Sequence, residues 1–186
     1  MRKIAAISIA MICAFIGQAG AVSLVLDGDG NLLGASNVVV DGRNFDVSFD
    51  DGTCIDLYAG CTGSPFDFDN EALALEAAQA LLDQVFLDGP SGLFDTQDFD
   101  QINGCFSVAN CFTRIPFGTV GIDGYLSATV FNVVDGDVIL SEGPFAADNG
   151  PFGNVNFAFF TEVPLPGAFV LFLSVFLAPI AARFKA

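Results

Sequence analysis

The sequence predicts an α+β fold: a mainly antiparallel β-sheet of five to eight strands with one packed helix, two disulfides and a short C-terminal transmembrane helix. Three observations predict it. Residues 44–50 alternate cleanly, with Phe45, Val47 and Phe49 on one side and Asn44, Asp46, Ser48 and Asp50 on the other; that period of two marks a sheet with one buried face. Asp41-Gly42 and Asp135-Gly136 each separate β-rich runs, a two-residue hairpin signal in which both positions tolerate positive φ. Residues 70–86 place Leu75, Ala78, Leu82, Val85 and Phe86 at helical spacing.

Taken in order, residues 1–21 read as a secretory signal. Arg2-Lys3 is the charged start, residues 4–16 are the apolar stretch that includes Cys13, and Ala19-Gly20-Ala21 is an A-x-A cleavage site with the cut after Ala21. Residues 23–51 read as strands broken by the turn cluster Asp27-Gly28-Asp29-Gly30-Asn31. The helix is capped by Asp69 or Asn70, favoured by Glu71 at its positive end and stopped by Asp88-Gly89-Pro90. Its stripe is expected to cover the sheet face carrying Phe45, Val47 and Phe49. Residues 88–111 read as loops. Residues 113–162 return to strands, the last with Val155, Phe157 and Phe159 on one face. With 21 Phe against 2 Tyr and no Trp, the core is built from rings that carry no polar tip to satisfy.

The charge excludes whole classes of function. Between the hydrophobic ends, Arg43 and Arg114 face 22 acidic residues, so residues 22–162 carry a net charge of −20 with no Lys and no His. Such a surface repels phosphates and excludes nucleic acid as a partner. Without His, a Ser-His-Asp or Cys-His device cannot be built. A carboxylate pair of the kind glycoside hydrolases use is the one catalytic option, with Asp67/Asp69 and Asp95/Asp98/Asp100 as the clusters to consider; no enzyme is expected. Asp27, Asp29 and Asn31 begin like a calcium loop, but Leu32 stands where the glycine belongs and Val38 where the bidentate Glu belongs. The expectation is therefore no resident cofactor, with calcium at Asp27, Asp29 and Asn31 as the metal alternative.

Cys54, Cys61, Cys105 and Cys111 remain after the signal. In an exported chain they are expected to form two disulfides, and of the three possible connectivities the local pairs Cys54–Cys61 and Cys105–Cys111 are favoured. The Cys-x6-Cys and Cys-x5-Cys spacings, without His, do not suit zinc.

The tail holds Val163-Pro164-Leu165-Pro166-Gly167, an apolar run over residues 168–182, and the basic end Arg183-Phe184-Lys185-Ala186. From Pro164 the run gives 19 residues, just enough to span a hydrocarbon core about 30 Å thick. This arrangement resembles the PEP-CTERM sorting domains of biofilm-forming Gram-negative bacteria, in their VPLPA-type variant, with Gly167 in place of the usual Ala and Arg183-Phe184-Lys185 in place of an Arg cluster. The resemblance implies an exosortase substrate, with the motif at residues 163–167 as the sorting signal and a tie to extracellular polysaccharide. More distantly, residues 45–54 with Cys61 and the helix over 77–86 look like other cargo domains bearing such tails.

These readings divide the chain into a signal peptide (1–21), an acidic extracytoplasmic α+β domain (22–162) and a sorting and anchor segment (163–186). The expected partners are the secretion machinery, exosortase, the membrane and extracellular polysaccharide. The expected localisation is export through the inner membrane, followed by a membrane-anchored, cell-surface or matrix position. The function expected first is a non-catalytic structural or adhesive protein; a cation-dependent polysaccharide-binding module comes second and a carboxylate-pair glycoside hydrolase third.

Overall fold

Alternating apolar residues and a left-handed turn fold the first part of the chain into a meander. The computed structural model describes residues 21–62, 66–121, 124–134, 136–148 and 153–164. Strands β1 (Ser23–Leu26), β2 (Leu32–Val40) and β3 (Arg43–Asp50) pair antiparallel in order. Asp41 and Gly42 turn β2 into β3 with φ of 47° and 71°, the double positive φ that the Asp-Gly signal predicts. β2 is one strand rather than two, because a bulge with Asn37 at φ 62° carries it from Ala35 to Val38.

Two helices follow. Thr53 caps the short α1 (Cys54–Leu57) by accepting the Asp56 N–H. Asn70 caps α2 (Glu71–Gln84) by accepting the Leu73 N–H at 3.0 Å. The stretch expected to be all loop holds the two-residue strands β4 (Asp88–Gly89) and β5 (Gly92–Leu93) and a 3₁₀ turn, Phe99–Gln101. A second meander, β6 (Asn110–Val120), β7 (Gly124–Val133) and β8 (Val138–Ala146), is again antiparallel. Asp135 of the second hairpin signal lies outside the described residues.

β9 (Val155–Glu162) then inserts between the two meanders. The seven-stranded order is β1-β2-β3-β9-β6-β7-β8, with β9 antiparallel to β3 and parallel to β6. The sheet is buried on both faces at its centre. One face holds Phe45, Val47, Phe49, Ala158 and Phe160 beneath α2 and the loop residues Phe94, Phe99 and Ile102; the Phe49 and Phe86 rings stack 5.4 Å apart. The other face holds Tyr58, Tyr125 and Phe157 with the Cys54–Cys61 disulfide.

The helix lies on the same side of the sheet as Phe45, Val47 and Phe49, but its close contacts are with β2, β6, β7 and β8, and the rings of Phe68 and Phe86 cover Phe45 and Phe49. Of the expected stripe Ala78, Val85 and Phe86 are buried, and the rest of the buried face is rotated from it. Ala74, Ala77, Ala78, Leu81 and Val85 are buried, whereas Leu75 and Leu82 are only partly so. Small alanines let the helix axis approach the sheet, and the larger leucines flank the contact.

The expected short C-terminal transmembrane helix is corrected: among the described residues, no helix is long and apolar enough to cross a membrane. α2, the longest described helix, has 14 residues and docks on the sheet. The membrane as a partner and the membrane-anchored localisation rested on that helix, and no described helix supplies such an anchor. The apolar run on which it was placed, residues 168–182, lies outside the described residues, as do residues 1–20 of the signal, Ala19 among them.

The rotated stripe makes a test. Ala77→Leu, at a fully buried position, is expected to lower stability by about 1–3 kcal/mol through overpacking, and Leu75→Ala, at a half-buried one, by about 1 kcal/mol or less. Urea denaturation reads both; the reverse ranking would restore the expected stripe.

Candidate functional site

Polar chemistry gathers at two places, the free edge of β9 and a cleft beside β1. β9 pairs with β6 only from Val155 to Phe157. Beyond that point side chains take over the ladder. The Tyr58 hydroxyl donates to the Ala158 carbonyl at 3.2 Å, and the Phe160 N–H donates to Asp67 Oδ2 at 2.9 Å. Tyr58 is held there by the Cys54–Cys61 disulfide. The loop reverses at Ala59, Gly60 and Cys61, all with positive φ. The Tyr58 ring stacks on Phe159 at 4.7 Å and meets Phe66 edge-on at 5.3 Å. Burial raises the Tyr58 hydroxyl well above its ordinary value, and the nearby Asp67 charge adds to this. Asp67 is exposed as a residue, but desolvation of its carboxyl at the strand edge raises it above its usual 3.8, with the Phe160 N–H opposing.

The cleft, about 260 Å³, lies between the β1–β2 turn and the 100–106 loop; Asp27, Asn31, Asp100, Asn103, Gly104 and Phe106 line it. Asp27, from the calcium-like loop, spends its oxygens on that loop. Oδ1 accepts the Asp29 and Asn31 N–H groups, both at 2.8 Å, and Oδ2 accepts the Asn31 side-chain amide at 2.7 Å. These bonds, the Asn31 amide first, lower its pKa. The three residues thus form a self-bonded turn. Among the described residues, no group of three or more His, Cys, Asp or Glu side chains is placed to hold a metal ion.

The acids singled out for hydrolysis have separate surroundings. Asp67 fastens β9, and Asp69 accepts the Asn70 amide. Asp98 accepts the Leu93 N–H at 2.7 Å, Asp100 lines the cleft, and Asp95 meets Asp137, whose pKa is raised by burial and by that neighbour. Cys54–Cys61 and Cys105–Cys111 are both disulfides. Ala21 is exposed. Of the sorting motif, the Val163 N–H donates to the Asn44 carbonyl at 2.8 Å and Pro164 is exposed; Leu165, Pro166 and Gly167 lie outside the described residues.

Both arginines are engaged by the fold. Arg43 reaches Glu162 at 3.4 Å on the surface. Arg114 lies 3.8 Å over the Phe145 ring, and its Nη1 donates to the Tyr125 hydroxyl at 2.9 Å.

Sequence reasoning missed the amides that join the elements, of which Asn132 and Asn156 are buried and Gln84 and Asn103 partly so. Gln84 bonds both the N–H and the C=O of Val39, each at 2.9 Å, where β1 has ended and β2 would be a bare edge. Asn103 donates to the Phe49 carbonyl, Asn132 to Phe94 and Asn156 to Asn103. Their signal was available: Asn132 and Asn156 occupy inward positions of their strands' alternation.

Together these features define a disulfide-fastened α+β domain whose acids tie down loops and a strand edge. Comparison with known proteins finds no matching family model, no matching curated protein and no matching solved structure. The PEP-CTERM resemblance therefore rests on the sequence, on residues 163–186 first.

Two variants test the β9 seal. Tyr58→Phe is expected to cost about 1–2 kcal/mol by leaving the Ala158 carbonyl unmet, read as a shift of the urea midpoint. Asp67 is a pH test. Its folded pKa exceeds the unfolded one, so the stability it contributes is present below about pH 4 and lost as pH rises through the folded value. Asp67→Asn keeps an acceptor for Phe160 and carries no charge. Wild type should lose stability relative to it as pH rises from about 4 through the raised folded value; parallel curves would refute the assignment.

Proposed function

We propose that this chain is a non-catalytic structural or adhesive protein of a biofilm matrix, and that its acidic domain is cargo for a PEP-CTERM-like signal at residues 163–186. One observation carries the non-catalytic part. Five acids, Asp27, Asp67, Asp88, Asp98 and Asp137, each accept backbone N–H groups that hold a turn or an edge. Carboxylates used that way are spent on architecture; glycoside hydrolysis needs two that converge on a substrate with their pKa values pushed apart. The two disulfides suit service where thiols are oxidised. The remaining acids leave a strongly anionic surface, which resists non-specific association and draws counter-ions.

The reading has two tests. Incubated with the polysaccharide of a producing matrix, the full chain should be retained without liberating reducing ends; release of reducing sugar would assign a hydrolase instead. Expressed in cells with an exosortase, wild type should lose mass at its C-terminus, while the Pro164→Ala, Pro166→Ala double variant should keep its full mass. Identical masses would remove the sorting reading.

A further inference from the structure

Two side chains that flank Gly104 in the 103–106 loop, Asp51 and Asn156, each carry a buried acceptor oxygen. Asn156 is fully buried; its Nδ2 donates to the Asn103 carbonyl at 2.7 Å, while its Oδ1 meets no donor among the described residues. Asp51, one residue beyond β3, presents a second such oxygen, Oδ1, buried and without a partner. The register that pairs Asp50 with Phe157 sets Asp51 beside Asn156 on the α2 face. Gly104 measures how close they are: a β-carbon there would stand 2.8 Å from that of Asn156 and 3.1 Å from that of Asp51. Asn103 clamps the loop down by donating to the Phe49 carbonyl.

Adjacent acceptors repel each other and call for a positive or donating species between them. Charge favours a cation here: Asp50 stands next to Asp51, and the domain has only two arginines, both engaged elsewhere. The cleft reaches Asn103 and Gly104 and gives water a way in. We propose that Asp51 Oδ1 and Asn156 Oδ1 ligate a calcium ion, with water and main-chain carbonyls completing its oxygen shell. An irregular set of one carboxylate and one amide suits calcium, which accepts flexible oxygen geometry; magnesium demands an octahedron and sheds water reluctantly. A single carboxylate places the affinity in the class of about 0.1–1 mM. Desolvation, with the Asp50 charge adding, raises the proton affinity of Asp51, so a bound proton competes with the ion at low pH. This site is separate from Asp27, Asp29 and Asn31, and the structural reading above does not depend on it.

Melting of the full chain in calcium and in magnesium tests the site. Calcium at tenfold over its Kd should raise Tm by about 4–6 °C, and magnesium at the same concentration by only the smaller, shared effect of screening. Asp51→Asn should reduce the calcium shift to that of magnesium. Asn156→Asp, which adds a charged ligand, should reach saturation at lower calcium. Equal shifts from the two ions overturn the proposal, as does a calcium-specific shift that survives Asp51→Asn or is lost instead in Asp27→Asn. Should Asp51→Asn fail to fold, calorimetry decides on wild type and Asn156→Asp: no saturable calcium heat, or the same affinity in both, overturns it.

Discussion

The insertion of β9 between two meanders is the constraint on which the rest of the structure depends. A strand at the centre of a sheet is covered on both faces, so β9 must be apolar on both, and Val155, Phe157, Ala158 and Phe160 are all buried. One face packs into the core that α2 shares, with the Phe68 ring against Phe160. The other needs a second core, which the short segment Cys54–Leu57, its disulfide and Tyr58 provide. Closing the sheet this way also makes the β9–β6 pair parallel and short. Past Phe157 the strand would expose an N–H and a C=O to an apolar cluster, and buried backbone groups are costly to leave unmet. Tyr58 and Asp67 meet them. The same loop thus covers a face and seals an edge, and its disulfide restricts the unfolded chain while holding both in place.

Much of this was legible in local sequence. Period-two alternation marked β3 and its buried face, Asp41-Gly42 marked the turn that follows β2, and short spacing favoured the two observed disulfides. What was not legible depends on elements distant in the chain. The alternation of residues 155–161 says that β9 is a strand but not which strands flank it, because an edge strand and a central one share the same period. The helix stripe was misplaced by about one residue for a related reason: reading bulky residues as the buried face favours Leu75 and Leu82, whereas a close helix–sheet contact selects alanine. Tyr58 and Asp67 looked like an ordinary loop tyrosine and one of many acids. Only the gap between β6 and β9 gives them work.

The charge balance explains a further choice. With no lysine or histidine and only Arg43 and Arg114 in the domain, a carboxylate taken into the interior would find no cation to pair with, and an unpaired buried charge costs far more than a buried amide. Polar joints inside this fold are accordingly made by neutral amides. Gln84 ties α2 to β2, Asn103 ties the 103–106 loop to β3, Asn132 ties β7 to the loop at Phe94, and Asn156 ties β9 to Asn103. An amide brings both a donor and an acceptor, and in Asn132 and Asn156 the donor is used while the oxygen has no partner among the described residues. A domain so poor in cations leaves such oxygens in its interior, and where one of them flanks Gly104 together with a carboxylate, as Asn156 does with Asp51, a cation from solution can supply the positive charge.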